Sequence, residues 1–325
     1  MDFQIDKIYN EDCLEGMKRI ADGAVDCIIT DLPYGTTACA WDSVIPFEPL
    51  WEQFKRVTKP NAAIVLFSSQ PFTSVLISSN IADFSHQWIW NKGDGANPFL
   101  ATKMPIKNFE EVVVFYKQYD DFDWRREYFA KIQKFIGKSK KQIIDETNQS
   151  LDHCFRTSSK QFAAPTEKAY NLLISQYGID KMDGFKAYDE IRRMEKTYNP
   201  MMVVKGKPKK KGAKIVNRSD GFLGGAKQDN IKVNNVYYPQ AIIKFSKDKG
   251  SRLHPTQKPV DLLRYLILTY SNEGDTILDA TIGSGTTAVA ALMEKRHFIG
   301  FETNKEYFDI AQGRIDQVLR NPTLF

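Results

Sequence analysis

Short apolar runs alternate with stretches of helical period at both ends of this chain. Val25-Asp26-Cys27-Ile28-Ile29-Thr30 is an apolar run that ends at a turn, the pattern of a buried strand. Phe47 to Val57 carries apolar residues at helical spacing. Ala62 to Phe67 predicts a second buried strand, Pro71 to Ser79 a helix, and Gln87 to Trp90 and Val112 to Tyr116 two more strands. Gly93 to Lys107, rich in Gly and Pro, predicts a loop. From about residue 255 the same texture returns. Pro259 to Tyr270 predicts a helix, Thr276 to Asp279 a strand, Thr286 to Arg296 an alanine-rich helix, Phe298 to Glu302 a strand and Tyr307 to Leu319 a closing helix.

The middle is different. Residues 120 to 200 are charged and helical in period. Helices are expected over Asp123 to Lys134 and Lys140 to Thr147, and a third opens at Pro165-Thr166-Glu167, with proline at its start and acid in its first turn. Residues 205 to 230 hold Lys205, Lys207, Lys209, Lys210, Lys211 and Lys214 among glycines, a basic loop. The expectation is an α/β body of one sheet, with halves at 1–119 and 250–325, interrupted by a mostly helical insertion at 120–249. Neither half has enough strands alone.

Composition changes this picture little. The 325 residues are 42% hydrophobic with a net charge of +5, enough for a normal core and mildly suited to a polyanionic partner. The four cysteines, Cys13, Cys27, Cys39 and Cys154, form no C-x-x-C pair, so no metal site is expected. The N-terminal residues lack an apolar signal core, and no apolar run reaches membrane-spanning length. A reduced, cytoplasmic, soluble protein is expected.

Candidate chemistry lies in two motifs. Asp279-Ala280-Thr281-Ile282-Gly283-Ser284-Gly285-Thr286-Thr287 follows a strand, opens a helix, and is followed by a strand ending in Glu302. Strand, glycine turn, helix, strand and acid is the order a nucleotide site needs: glycines admit a ligand to the backbone, and the acid can accept from a ribose diol. No third glycine follows at dinucleotide spacing, and no lysine follows as in a phosphate-binding loop. The second motif, Asp31-Leu32-Pro33-Tyr34-Gly35, also follows a buried strand. By itself it can also be read as a plain strand-ending turn, the weaker of its two readings.

Together, in this order, the motifs resemble the β class of amino-group DNA methyltransferases, the phage and restriction-modification type that is typically adenine-N6 specific. The resemblance covers roughly residues 6 to 117 and 250 to 320. It implies a doubly wound, Rossmann-like, circularly permuted methyltransferase sheet, S-adenosyl-L-methionine as cofactor, and duplex DNA as partner in a bacterial or phage-infected cell. Methylating an exocyclic amine requires a base out of the stack, an acceptor for the amine protons and a flat ring to hold the base. The resemblance gives these roles to the Asp31 carboxylate, the Leu32 carbonyl aimed by Pro33, and the Tyr34 ring. A sulfonium is a good leaving group, so positioning suffices.

Further segments match the class. Tyr9-Asn10-Glu11-Asp12-Cys13-Leu14 resembles the segment whose acid, here Asp12, contacts the cofactor adenine, with Cys13 beside it. His254-Pro255-Thr256-Gln257-Lys258-Pro259 resembles the segment at the methionine end, which assigns His254, Thr256 and Lys258 to the cofactor. Asp31, Asp279, Thr281, Gly283, Ser284, Gly285, Thr286, Thr287, Glu302 and Asn304 complete that set. Leu32 stands where the class usually has proline, and Ala280-Thr281 where it often has Pro-Phe. An aspartate heading the tetrapeptide points to adenine. Cytosine-N4 methylation and a non-catalytic DNA-binding regulator on this fold stay open. Many members of the class pair as dimers, and some work beside a cognate restriction endonuclease.

Residues 128 to 180 resemble a phage-repressor-like helix-turn-helix, with Ile136 to Ile144 as the first scaffold helix and Ser150 to Thr157 as the reading segment. His153, Arg156, Lys160 and Gln161 are the candidates for DNA contact there. Lys207, Lys209, Lys210 and Lys211 are the candidates for phosphate contact. A helical packing insertion with a solvated face is the alternative for the fold, but DNA contact is the expectation for the module, since no other segment is left to read a site.

Overall fold

The computed structural model describes residues 4–36, 42–93, 95, 101–116, 124–159, 161–192, 197–201, 203–204, 236–246 and 257–320. The chain divides into two compact units, one of residues 1–118, 196–203 and 237–325, the other of 119–195 and 204–236.

The first unit is built on one eight-stranded sheet. In chain order its elements are β1 (Lys7–Tyr9), α1 (Cys13–Met17), β2 (Val25–Thr30), α2 (Phe47–Val57), β3 (Thr58–Ser68), α3 (Phe72–Ser79), β4 (Phe84–Asn91) and β5 (Phe109–Tyr116). The second unit contributes α4 (Trp124–Ile136), α5 (Lys140–Thr147), α6 (Glu167–Tyr177) and α7 (Tyr188–Arg192). A ribbon of β6 (Val203–Val204) with β7 (Val236–Tyr237) follows, and then β8 (Ile242–Lys244), α8 (Val260–Tyr270), β9 (Thr276–Asp279), α9 (Thr286–Met293), β10 (His297–Phe301) and α10 (Lys305–Arg320). The strand order is β1-β10-β9-β2-β3-β5-β4-β8. Every neighbouring pair is parallel except the two that involve β5. The chain's two ends therefore meet in one sheet, where β9 lies directly beside β2.

Strand side chains alternate between two apolar layers, as the two-residue period requires. Cys27 and Ile29 of β2, Ala63, Val65 and Phe67 of β3, and Val112 and Val114 of β5 share one layer with Leu262, Leu266, Ala288 and Ile315 of α8 to α10. Ile28, Ile64, Leu66, Val113 and Phe115 share the other with Met17, Leu50, Phe54 and Leu76 of α1 to α3. One half of the chain covers each face, so a sheet made of either half alone leaves a face bare.

Several boundaries differ from expectation. Residues 242–244 lie within the range read as insertion, yet β8 pairs in parallel with β4. The alanine-rich helix stops at Met293, not Arg296, because Lys295 turns into the left-handed region (φ 58°) to start β10. The helix expected to start at Pro165 starts at Glu167 instead: Thr166 caps it, its side chain accepting from Ala169 N, and Pro165 lies just outside.

The second unit has its own apolar centre of Tyr128, Phe129, Ile132, Ile143, Leu151, Phe155, Tyr170, Leu173 and Ile179. It departs from the helix-turn-helix reading in two places. Ile136 to Ile144 is not one helix, because Gly137 (φ 68°) ends α4 and a Ser139–Gln142 capping box starts α5. Ser150 to Thr157 forms turns, since Leu151, Cys154 and Phe155 all point into the unit's centre and no helical face is left to present.

Candidate active site

The parallel strands direct their carboxyl ends to one edge, where ligands of open α/β sheets bind. Asn10 and Asp12 follow β1, Glu302 follows β10, Asp279 ends β9 and Asp31 follows β2. Because β5 runs antiparallel to β3, its first residues reach that same edge, with Glu111 opposite Ser68.

The glycine turn is fixed from several sides. Gly283 (φ 53°) and Gly285 (φ 80°) both occupy the left-handed region. The Gly283 amide donates to Glu302 Oε2 at 3.0 Å, and the Asn304 amide donates to Glu302 Oε1 at 2.8 Å. Burial raises the Glu302 carboxyl above its ordinary value against these backbone donors. Asn304 also caps α10, accepting from the amides of Glu306 and Tyr307. Asp279 is buried, and burial pushes its carboxyl up to about 6, although Thr287, Thr30 and the Thr281 amide hydrogen-bond to it. Ser284, Thr286 and Thr287 are buried as well. Asp12 caps α1 through its side chain, accepting from Leu14 N at 2.8 Å and Glu15 N at 3.2 Å. Cys13 is buried, which pushes its thiol up to about 12 and leaves it inert.

The Asp-Leu-Pro-Tyr turn sits beside this cradle. Thr281 Oγ1 donates to the Asp31 main-chain carbonyl at 2.9 Å and lies 2.9 Å from Thr30 Oγ1. Lys258 Nζ pairs with Asp31 Oδ2, and the Tyr34 hydroxyl donates to Asp31 Oδ1 at 2.6 Å. The Tyr34 ring stacks on Phe72 with centroids 5.1 Å apart. Burial, with the Asp31 and Glu110 carboxylates nearby, holds the Tyr34 phenol well above its ordinary value, so it remains a donor. Leu32 is 3% exposed, its side chain anchored in the apolar layer with α1 to α3.

Several residues here are given no role of their own by the sequence. Glu110 contacts both Lys258 and Lys92. Asn10 Nδ2 donates to the Glu302 carbonyl at 2.7 Å, tying β1 to β10. Arg314 of α10 donates to the Ser284 carbonyl at 2.6 Å and to Thr286 Oγ1 at 3.0 Å. Two acids heading an apolar strand were a usable signal for Glu110; Arg314 had none.

Of the DNA candidates, Arg156 is paired with Asp152 and hydrogen-bonds Gln161 in the second unit. His153 lies in the turn segment. Lys160, Lys207, Lys209, Lys210 and Lys211, like His254 and Thr256 of the cofactor set, fall outside the described residues. No helix among the described residues is long and apolar enough to cross a membrane.

Fold and site together define an α/β protein with a nucleotide-type glycine cradle beside an acidic, aromatic turn. A family model described as DNA methylase matches residues 25–313, and the chain belongs to that family, the N6/N4 amino-group DNA methyltransferases, whose cofactor is S-adenosylmethionine. It is 37% identical to the orphan methyltransferase M.BamHII of Bacillus amyloliquefaciens over 124 residues, 38% of this chain and 46% of that one. The chain thus spans under half the length of that relative. It is 28% identical to the DNA adenine methyltransferase YhdJ of Escherichia coli (strain K12) over 216 residues, 65% of this chain and 72% of that one. The PvuII DNA methyltransferase (cytosine-N4-specific) shares the fold, with a TM-score of 0.50 at 12% identity over 97% of this chain and 91% of that one.

Proposed function

We propose that this protein transfers the methyl group of S-adenosylmethionine to the N6 amine of an adenine flipped out of duplex DNA. The observation that carries this reading is the 2.9 Å hydrogen bond from Thr281 to the Asp31 carbonyl, which locks the glycine cradle to the acidic turn. Methyl donor and acceptor amine need such a fixed separation.

The residues fit the cofactor. The two left-handed glycines let a ligand approach the backbone, Glu302 is held by two amides where a ribose diol needs an acceptor, and buried Asp279 suits a cationic group. When bound, S-adenosylmethionine supplies a methyl group on a cationic sulfur. Asp31 accepts a hydrogen bond from the target amine, the Leu32 carbonyl takes the second, and Tyr34, backed by Phe72, offers a face to the base. An amine held in this way would bond to the methyl carbon as the carbon–sulfur electron pair returned to sulfur, and its proton would leave to solvent.

Adenine is favoured because the tetrapeptide begins with aspartate, and the E. coli relative is named an adenine methyltransferase. The base turn preceding the cofactor turn in the chain supports the circularly permuted order of the β class. The helical unit, with the lysines at 207 to 211, is the reader of the DNA site in this proposal.

Mass spectrometry of nucleosides from unmethylated DNA, incubated with the protein and S-adenosylmethionine, tests the reading. N6-methyladenine is expected. N4-methylcytosine would replace the target base, and no methylated base without cofactor binding would leave a DNA-binding regulator.

A further inference from the structure

Glu110 stands at the head of β5, at the same edge of the sheet as Asp31. Its Oε1 pairs with Lys92. Its Oε2 is buried, lies 3.5 Å from Lys258 Nζ and accepts no hydrogen bond. The Lys258 ammonium, itself buried, hydrogen-bonds Asp31 Oδ2 instead. One cation therefore stands between two carboxylates and has closed on one of them. A buried carboxylate oxygen left without a hydrogen bond is costly, and such groups call for a reason.

Both partners are charged in this arrangement. Burial pushes the Glu110 carboxyl up, and the Lys258 and Lys92 ammonium groups outweigh it, leaving it below the ordinary glutamate value. Burial pulls Lys258 down, and Asp31 and Glu110 outweigh it, leaving it above the ordinary lysine value.

Both oxygens of Asp31 are already engaged, Oδ1 by Tyr34 and Oδ2 by Lys258. A carboxylate oxygen can accept two hydrogen bonds, so an arriving amine either shares Asp31 with these groups or takes the place of one of them. Resting on the methyl-transfer reading, we infer that Glu110 is a positioning residue that receives the Lys258 ammonium when the target amine takes its place on Asp31. Oε2, ion-paired with Lys258 at 3.5 Å and short of a formed hydrogen bond, is the acceptor on which the ammonium can close. The ammonium then stays paired throughout, and no buried charge is stranded. Without Glu110, Lys258 has only Asp31 and competes with the amine for it.

The test uses the full chain as wild type, Glu110→Gln, Glu110→Asp, Lys258→Met and the Glu110→Gln/Lys258→Met double variant. Single-turnover methyl transfer to unmethylated duplex DNA is measured at saturating cofactor. S-adenosylmethionine binding without DNA is measured by calorimetry, and folding by thermal melting. Glu110→Gln is expected to slow transfer about tenfold or more while cofactor affinity stays within about threefold. Glu110→Asp slows it less. In the Lys258→Met background the Glu110→Gln change has no further effect, because nothing is left to position. A purely structural role for Glu110 would instead lower cofactor affinity and melting together with rate, and that result overturns the inference. So does an unimpaired Glu110→Gln, or an equal loss in both backgrounds. Should Glu110→Gln fail to fold, a wild-type rate in Glu110→Asp overturns it as well. A wild-type protein that transfers no methyl group overturns the methyl-transfer reading, and the inference with it.

Discussion

The Tyr34 hydroxyl donates to Asp31 Oδ1 at 2.6 Å while its ring lies on Phe72. Hydroxyl and ring thus serve different partners, and substitution separates them. Tyr34→Phe keeps the ring and its backing and removes one of two groups orienting Asp31. Transfer should fall by about tenfold to a hundredfold, the scale of one hydrogen bond to a charged group. Tyr34→Ala also removes the platform for the base, where stacking contributes about 1–3 kcal/mol, and should be slower by roughly a further tenfold to hundredfold. Steady-state rates on duplex DNA check this. Equal losses in the two variants would show that the ring is no platform.

Glu302 accepts from the amide of Gly283 through one carboxylate oxygen and from the amide of Asn304 through the other. It therefore shapes the glycine turn, besides the ribose contact proposed for it. Glu302→Gln keeps the size but substitutes a donor on one side. S-adenosylmethionine binding should weaken by about tenfold to a hundredfold, as expected for a lost charge-assisted bond. Transfer at saturating cofactor should change far less. Calorimetry and the kcat-against-KM split decide it: a fall in kcat at unchanged affinity would place Glu302 elsewhere in the cycle.

With Asp279 in the proposed cofactor site, ligand binding there should depend on pH. Burial first, opposed by Thr287, Thr30 and the Thr281 amide, puts its carboxyl at about 6 against an ordinary 3.8. The folded value lies above the unfolded one. Its contribution to the stability of the unliganded fold is therefore complete below about 3.8 and is lost as the pH rises through about 6. A cationic ligand prefers the ionised form, so binding runs the other way. Affinity for S-adenosylmethionine should increase between about pH 5 and pH 7 and then level off. Asp279→Asn should bind more weakly with a flat profile. A flat wild-type profile would remove Asp279 from the cofactor's charged end.

Elements with a clean period or a clear cap were legible in the sequence. Phe47 to Val57 buries Leu50, Trp51, Phe54 and Val57 on one face, and its predicted bounds are the observed ones. Lys140 to Thr147 is likewise fixed by Ser139 before it and a left-handed Asn148 after it. Three-residue β8 carried no such signal, because Ile242 is exposed and only the neighbouring β4 makes it a strand. Ser150 to Thr157 has a helix-like spacing of apolar residues, but those side chains serve the unit's own centre. At the site, Asp31, Asp279, Gly283 and Glu302 stand in local motifs that a reader of the chain can find. The pairing of Lys258 with Glu110 is set by the antiparallel turn of β5 into the sheet's edge, and no local pattern encodes it.

Gly285 supplies a last test, of how the cradle is built. Its φ of 80° already disfavours a side chain by about 1–2 kcal/mol. A Cβ there would also lie 2.9 Å from Ala311 Cβ and 3.1 Å from Ala311 Cα, so α10 would have to withdraw from the turn. Gly23 has a similar φ of 64° with nothing within 4 Å of an added Cβ. Gly23→Ala therefore isolates the backbone strain, and Gly285→Ala adds the close approach. Gly285→Ala should melt clearly lower than Gly23→Ala and bind S-adenosylmethionine more weakly, because Arg314 of the same α10 holds Ser284 and Thr286. Adding Ala311→Gly should recover part of both losses, the part due to the nearer contact. Equal melting of the two alanine variants would mean that strain alone, and not the seat of α10 against the turn, sets the glycine at this position.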